Sequence, residues 1–197
     1  MISAREALLR LRDGNKRFVA ERAAGGSGTT ETRRAEVADG QEPFAIILGC
    51  SDSRVPAEIV FDQGLGDLFV IRVAGNIVAP SQVGSVEFAA ERFHTRLVVV
   101  LGHSQCGAVT ATLEEMQRPA GGQSQNLRSI VNRIRPAVEG LTNVAQAVRA
   151  NVRASASHLR HGSAVLEHLV LTNGLRIVGA EYSLETGVVD FFDTPDL

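Results

Sequence analysis

Apolar residues fall along this chain in two rhythms. From residue 2, ISAREALLRLRDGNKRFVAER sets Ala4, Leu8, Leu11 and Phe18 on one stripe, with Arg5, Glu6, Arg12 and Lys16 mostly elsewhere. That is the period of an amphipathic helix with a surface to cover. The next stretch, AAGGSGTTETRRAEVADGQEP (23–43), is rich in Gly, Thr and charge. It reads as a long connection that lets a helical arm reach away from the core or across to a partner subunit. Three nearly unbroken apolar runs follow: FAIILG (44–49), DLFVIRVAG (67–75) and RLVVVLG (96–102). Such runs, rich in β-branched residues, predict strands covered on both faces, and hence a parallel sheet.

Helical periodicity returns between and after these runs. SQVGSVEFAAERFH (81–94), with Val83, Val86, Phe88, Ala90 and Phe93 apolar, predicts a crossover helix, and CGAVTATLEEM (106–116) opens another. Beyond the flexible PAGGQSQ (119–125), NLRSIVNRIRPAVEG (126–140) predicts a helix interrupted by Pro136, and 143–171 a long helical stretch. LRIVGAEYSLETGVVDFF (175–192) reads as strand, turn, strand. The fold class is therefore α/β: a mostly parallel central sheet of about four parallel strands plus an antiparallel edge strand, flanked by helices, with an N-terminal helical arm. One domain spans 1–197, divided into arm and connection (1–43) and α/β core (44–197).

Composition narrows the partners. At 197 residues, 44% apolar, 21% charged and with a formal net charge of −2, the chain suits one globular domain and implies neither nucleic-acid attraction nor disorder. A basic leader followed by an apolar segment is absent, and no apolar stretch approaches the roughly 18 residues of a membrane span. A soluble cytoplasmic protein is expected, with no nucleic-acid or membrane partner.

Chemistry gathers at strand ends. Two predicted strands finish Gly49–Cys50 and Gly102–His103, with Cys106 three residues further on. Open parallel sheets bind ligands outside the carboxyl ends of their strands, where adjacent loops diverge. Two thiolates and an imidazole suit zinc and leave a tetrahedral ion one position for water or substrate. Cys106 also begins a predicted helix, whose free N–H groups favour a thiolate. The spacing alone leaves two unrelated buried cysteines as an alternative.

Asp52 and Arg54 stand in the same loop as Cys50. Two residues apart, they could form a surface salt bridge worth at most about 1 kcal/mol. Beside a zinc, Asp52 has two possible fates: a fourth ligand that closes the site, or a carboxylate held away by Arg54 to accept a hydrogen bond from the zinc's water.

The motif C-S-D-S-R (50–54) with G-H-S-Q-C-G (102–107) closely resembles the β-class carbonic anhydrases, plant-like branch. The resemblance runs over nearly the whole chain and is weakest from about 117 to 165. It implies one Zn2+ per chain on Cys50, His103 and Cys106, and reversible hydration of CO2 to bicarbonate and a proton by a zinc-bound hydroxide oriented by Asp52 and Arg54. In the family, residues at the positions of Gln41 and Phe69 contact substrate. A third cleft residue, often tyrosine, aligns with Phe88, which keeps the apolar wall and loses the hydroxyl. Periodicity by itself reads Phe69 and Phe88 as core. Such N-terminal arms wrap a neighbouring subunit in the family, which implies a homodimer or dimer of dimers. An extra bicarbonate site of some bacterial members uses a tryptophan, and this chain has none.

Other functions fit less well. A zinc deaminase calls for H-x-E with P-C-x-x-C, and a dehydrogenase for G-x-G-x-x-G after a strand; neither motif is present. A redox module needs only its two thiols and gives no reason for Asp52, Arg54 and Gln41.

Overall fold

The computed structural model describes residues 2–21, 30–117 and 124–194. At its centre is a five-stranded sheet of order β2-β1-β3-β4-β5. The strands are β1 (Ala45–Gly49), β2 (Leu68–Arg72), β3 (Leu97–His103), β4 (Arg176–Tyr182) and β5 (Val189–Asp193). β1 pairs in parallel with β2 and β3, β3 in parallel with β4, and β5 closes one edge antiparallel to β4. The four parallel strands and antiparallel edge match the sequence expectation. Every residue of β1 and β3 is buried, which is why those segments carry no polar alternation.

Two apolar layers sandwich the sheet. On one face α1 (Ala4–Val19) seats Ala4, Ala7, Leu8 and Leu11 against Phe44, Val55, Phe61 and the β-strands. The helix lies on its own chain's sheet rather than reaching away. Ser3 caps it, exchanging bonds with Glu6, and Asn15 pins its far end. Asn15 Nδ2 donates to the carbonyls of Val60 and Gly187, and its Oδ1 accepts from Val189 N–H. The connection after the arm holds a short helix, α2 (Glu31–Glu36), capped by Thr30; its residues 23–29 lie outside the described chain.

α4 (Pro80–Arg92) and α7 (Val144–His161) cover the other face with α8 (Ala164–Thr172). α3 (Ala57–Val60), α5 (Gly107–Gln117) and α6 (Gln125–Val138) complete the α-helices among the described residues, and a single 3-10 turn spans Ala74–Asn76. Two expectations need correction. Pro136 does not interrupt α6 but sits inside it. Its missing N–H frees only the Asn132 carbonyl, and the helix ends two residues later. The long run from 143 breaks into α7 and α8 at Gly162 and Ser163, where the Ser163 hydroxyl accepts from Leu166 N–H and starts a new helix. The flexible segment expected at 119–125 falls mostly outside the described residues. No helix among those residues is long and apolar enough to cross a membrane.

α7 sits close over the carboxyl half of β3 because Gly102 has no side chain. A Cβ there would stand 2.5 Å from Val152 Cγ2 and 3.3 Å from Val148 Cγ1. This approach brings α7 to the loops that carry the site.

Candidate metal centre

β1 and β3 are neighbours in register, Gly49 opposite Leu101, so the residues that follow each strand emerge side by side. Cys50 leaves the end of β1, His103 is the last residue of β3, and Cys106 immediately precedes α5. Their ligand atoms all lie within 4.8 Å of one another, and all three residues are buried. The two Sγ atoms are 4.0 Å apart. Two sulfurs on one tetrahedral zinc at about 2.3 Å stand about 3.8 Å apart.

The histidine ring is oriented for a ligand. Nδ1 lies 2.8 Å from the Ser104 carbonyl, to which it donates, and this leaves the Nε2 lone pair facing the thiols. Nε2 is buried with no hydrogen-bond partner among the described residues. A buried polar atom without a partner costs about 1–3 kcal/mol; a metal ion is the partner that a Cys–His–Cys set supplies. The donor set therefore fits zinc, and the redundant carbonyl contact is the usual support for a ligating imidazole.

Electrostatics in the cluster follow from crowding. The Cys106 thiol beside Cys50 pulls the Cys50 pKa down against the cost of burial, while Cys50 and burial push Cys106 up. One proton is shared between two sulfurs, and a dication would release it. Burial works against the charged form of His103, but Cys50, the Ser104 carbonyl and Asp52 together outweigh it and the imidazole pKa is raised.

Asp52 is turned to Arg54. Arg54 Nε donates to Oδ1 at 2.9 Å, Nη2 to Oδ2 at 2.8 Å, and its backbone N–H to Oδ1 at 3.0 Å. These bonds hold the Asp52 carboxyl well below the usual carboxylate range. Oδ2 remains 3.8 Å from His103 Nε2, so the carboxylate borders the cluster while Arg54 retains it.

Several supporting residues had no individual signal in the sequence. Arg72, at the end of β2, donates to the carbonyls of Cys50 and Asp52 and so holds the loop between them. Glu185, from the β4–β5 turn, accepts from Ser104 Oγ and Gln105 Nε2 and ties down the segment between His103 and Cys106. Gly75 donates its N–H to Cys50 Sγ at 3.3 Å. That bond requires a left-handed backbone, φ +69°, and a Cβ would meet Ile134 Cδ1 at 2.8 Å. The R-V-A-G-N stretch points to a turn there, not to a sulfur.

Gln41, Phe69 and Phe88 gather elsewhere. Gln41 lines a cavity of about 560 Å3 with Arg10, Phe44, Phe93 and His94. Phe93 in turn packs on Phe69 and Phe88, at 6.0 and 5.6 Å between ring centres. Phe69 is opposite Ile46, three residues before the strand end and so roughly 10 Å from it. Phe93 thus links the Phe69–Phe88 pair to the cavity that Gln41 lines, and none of these residues belongs to the Cys–His–Cys cluster.

A carbonic anhydrase family profile matches residues 45–189, which spans both motifs. The chain belongs to the β-carbonic anhydrase family. Carbonic anhydrase 2 of Mycobacterium tuberculosis is 40% identical to it over 184 residues, covering 90% of this chain and 87% of the relative. A carbonic anhydrase of Mycolicibacterium smegmatis is 40% identical over 188 residues, 91% of this chain and 89% of that one. The β-carbonic anhydrase CafA of Aspergillus fumigatus superposes with a TM-score of 0.74 at 25% identity, covering 90% and 88%. A chain from the crystal structures of two tetrameric β-carbonic anhydrases of Sordaria macrospora has the same fold, with a TM-score of 0.72 at 22% identity, covering 91% of this chain and 93% of that one. As a β-carbonic anhydrase, the chain has its Cys–His–Cys cluster at the strand ends of the matched region.

Proposed function

We propose that this β-carbonic anhydrase hydrates CO2 reversibly to bicarbonate and a proton, with one Zn2+ per chain on Cys50, His103 and Cys106. The observation that carries the reading is the unpartnered, buried Nε2 of His103 facing two thiols 4.0 Å apart, with Asp52 at its border. Bound there, the ion supplies the Lewis acidity that makes water a nucleophile near neutral pH.

The chain's own residues do the rest. Ser104 and the Gly75 N–H hold the imidazole and one sulfur in place before any substrate arrives. Asp52, kept ionised by Arg54, accepts a hydrogen bond from the attacking water through its carboxylate and aims the oxygen's free lone pair at carbon. A carboxyl held so far below neutrality orients the proton without keeping it, so the proton passes to solvent buffer as the new C–O bond forms. Gln41 as donor, with Phe69 and Phe88 as apolar wall, would suit a small apolar substrate. If they line the substrate's path, a second copy would supply them, since within one chain they group around Phe93. A homodimer or dimer of dimers follows from that requirement, and the tetrameric relatives favour it. A cytoplasmic setting suits two neighbouring thiols that must stay reduced.

Stopped-flow CO2 hydration by the zinc-loaded protein, beside Cys106→Ser, tests the reading. We expect turnover in the wild type and its loss together with the metal in the variant. A loaded wild type inactive from neutral to alkaline pH would overturn it.

A further inference from the structure

The buried stripe of α7 contains two polar residues among apolar ones, Asn151 and Ser155, 2% and 6% exposed. Helical spacing of four puts them on one face, a turn apart. An apolar pair would pack there without desolvation cost, so their presence requires partners. Both reach the same tight turn after β2. Asn151 Nδ2 donates to the Gly75 carbonyl at 2.8 Å and Ser155 Oγ to the Asn76 carbonyl at 3.1 Å.

That turn is hard to hold. Gly75 and Asn76 are consecutive residues with positive φ, +69° and +42°. Its ends are tied by Asn76 N–H to the Val73 carbonyl and by Val73 N–H to the Gly49 carbonyl. The two α7 side chains hold the carbonyls of the left-handed pair, which fixes the 75–76 and 76–77 peptides and, through the Gly75 torsions, constrains the preceding peptide that carries the Gly75 N–H. Seated in this turn, the Gly75 N–H is aimed at a metal-site sulfur, 3.3 Å from Cys50 Sγ. Loss of either clamp leaves a buried carbonyl unpaired and lets the turn rotate toward an ordinary backbone, away from the sulfur.

We infer that Asn151 and Ser155 are positioning residues that tune the Cys50 thiolate through the Gly75 N–H. A hydrogen bond to sulfur withdraws electron density that the thiolate would otherwise donate to the ion. With two thiolates on one dication, this donor restores part of the ion's electrophilicity. Asn151 lies 101 residues from Cys50 in sequence and touches no ligand atom, so its effect passes through the turn alone.

The inference rests on the metal-centre reading, and cobalt spectroscopy separates the two. Co(II) replaces the native ion in wild type, in Asn151→Leu, which removes the amide at similar volume, and in Ser155→Ala, a milder loss. We expect a thiolate-to-cobalt charge-transfer band in all three, displaced to longer wavelength in the variants and further in Asn151→Leu. Zinc-loaded Asn151→Leu should turn over about tenfold more slowly at neutral pH. If Asn151→Leu does not fold, Ser155→Ala decides by the same band. Variants that fold, take up cobalt and leave the band at its wild-type position would overturn the inference, because residues that only stabilise the fold change metal content or melting and not band energy. A wild type without the band would overturn the metal reading and the inference together.

Discussion

The carboxylate of Asp52 accepts from the guanidinium of Arg54 through both of its oxygens, at 2.9 and 2.8 Å. The pair lies two residues apart in a loop, where a salt bridge usually contributes little. Here the carboxylate also faces the buried His103 ring, and the geometry matters more than the strength.

Arg54→Ala should let the Asp52 carboxyl rise toward its ordinary range. A carboxylate whose folded value is depressed contributes stability that is fully present above its unfolded value and is lost as pH falls through the folded one. The difference in urea midpoint between wild type and Arg54→Ala should therefore be constant from about pH 5 upward and shrink on acidifying below about pH 4. Asp52→Asn should retain metal and lose roughly 100-fold in hydration rate. A variant with unchanged rate would remove Asp52 from the reaction.

Metal removal should destabilise the wild type, since an ion that binds only the folded chain shifts the equilibrium toward it. Thermal melting with and without chelator reads this directly. In His103→Leu the unpartnered Nε2 is gone, so its melting point should not respond to chelator. The metal-free variant should stay close to the metal-free wild type, because removing a buried unpaired polar atom (about 1–3 kcal/mol) is offset by loss of the Nδ1 bond to the Ser104 carbonyl.

Glu185 acts on the same segment from the far side. Its backbone N–H, Ser104, Ser183 and Gln105 together hold its carboxyl below the ordinary range, so its grip is present above that range and is lost on acidification. Competition against a chromophoric chelator should find metal binding about tenfold weaker in Glu185→Ala. Glu185→Gln, which keeps one acceptor oxygen, should fall between.

Asn15→Leu should cost about 3 kcal/mol in urea unfolding, because it removes three hydrogen bonds and leaves two carbonyls and the Val189 N–H to find other partners. Metal content should not change. A variant that loses metal as readily as stability would mean that the arm and the site unfold as one unit.

Much of this arrangement was legible in the sequence, and the reason is local. Buried parallel strands write themselves as unbroken apolar runs: FAIILG became Ala45–Gly49 and RLVVVLG became Leu97–His103. The ligands were legible because each follows directly on such a run. Buried polar residues were not. Asn15, Asn151 and Ser155 look like surface residues in a sequence, since the partners that justify their burial lie tens of residues away. The basic residues of α7 carry no such signal either. Arg149 in fact pairs with Glu181 and Asp190, and Arg160 with Asp193 and the Ile177 carbonyl. The gathering of Gln41, Phe69 and Phe88 around Phe93 likewise depends on β2 and α4 lying side by side, which no local pattern states.

The bonds of Asn15 also bear on the order in which the molecule assembles during synthesis. Its partners lie 45, 172 and 174 residues further along. Within this chain α1 is thus locked only once β5 is in place, however early its own turns form. Cys50, His103 and Cys106 all precede β5 in the chain, so the three ligands can meet while α1 still lacks its closing partners.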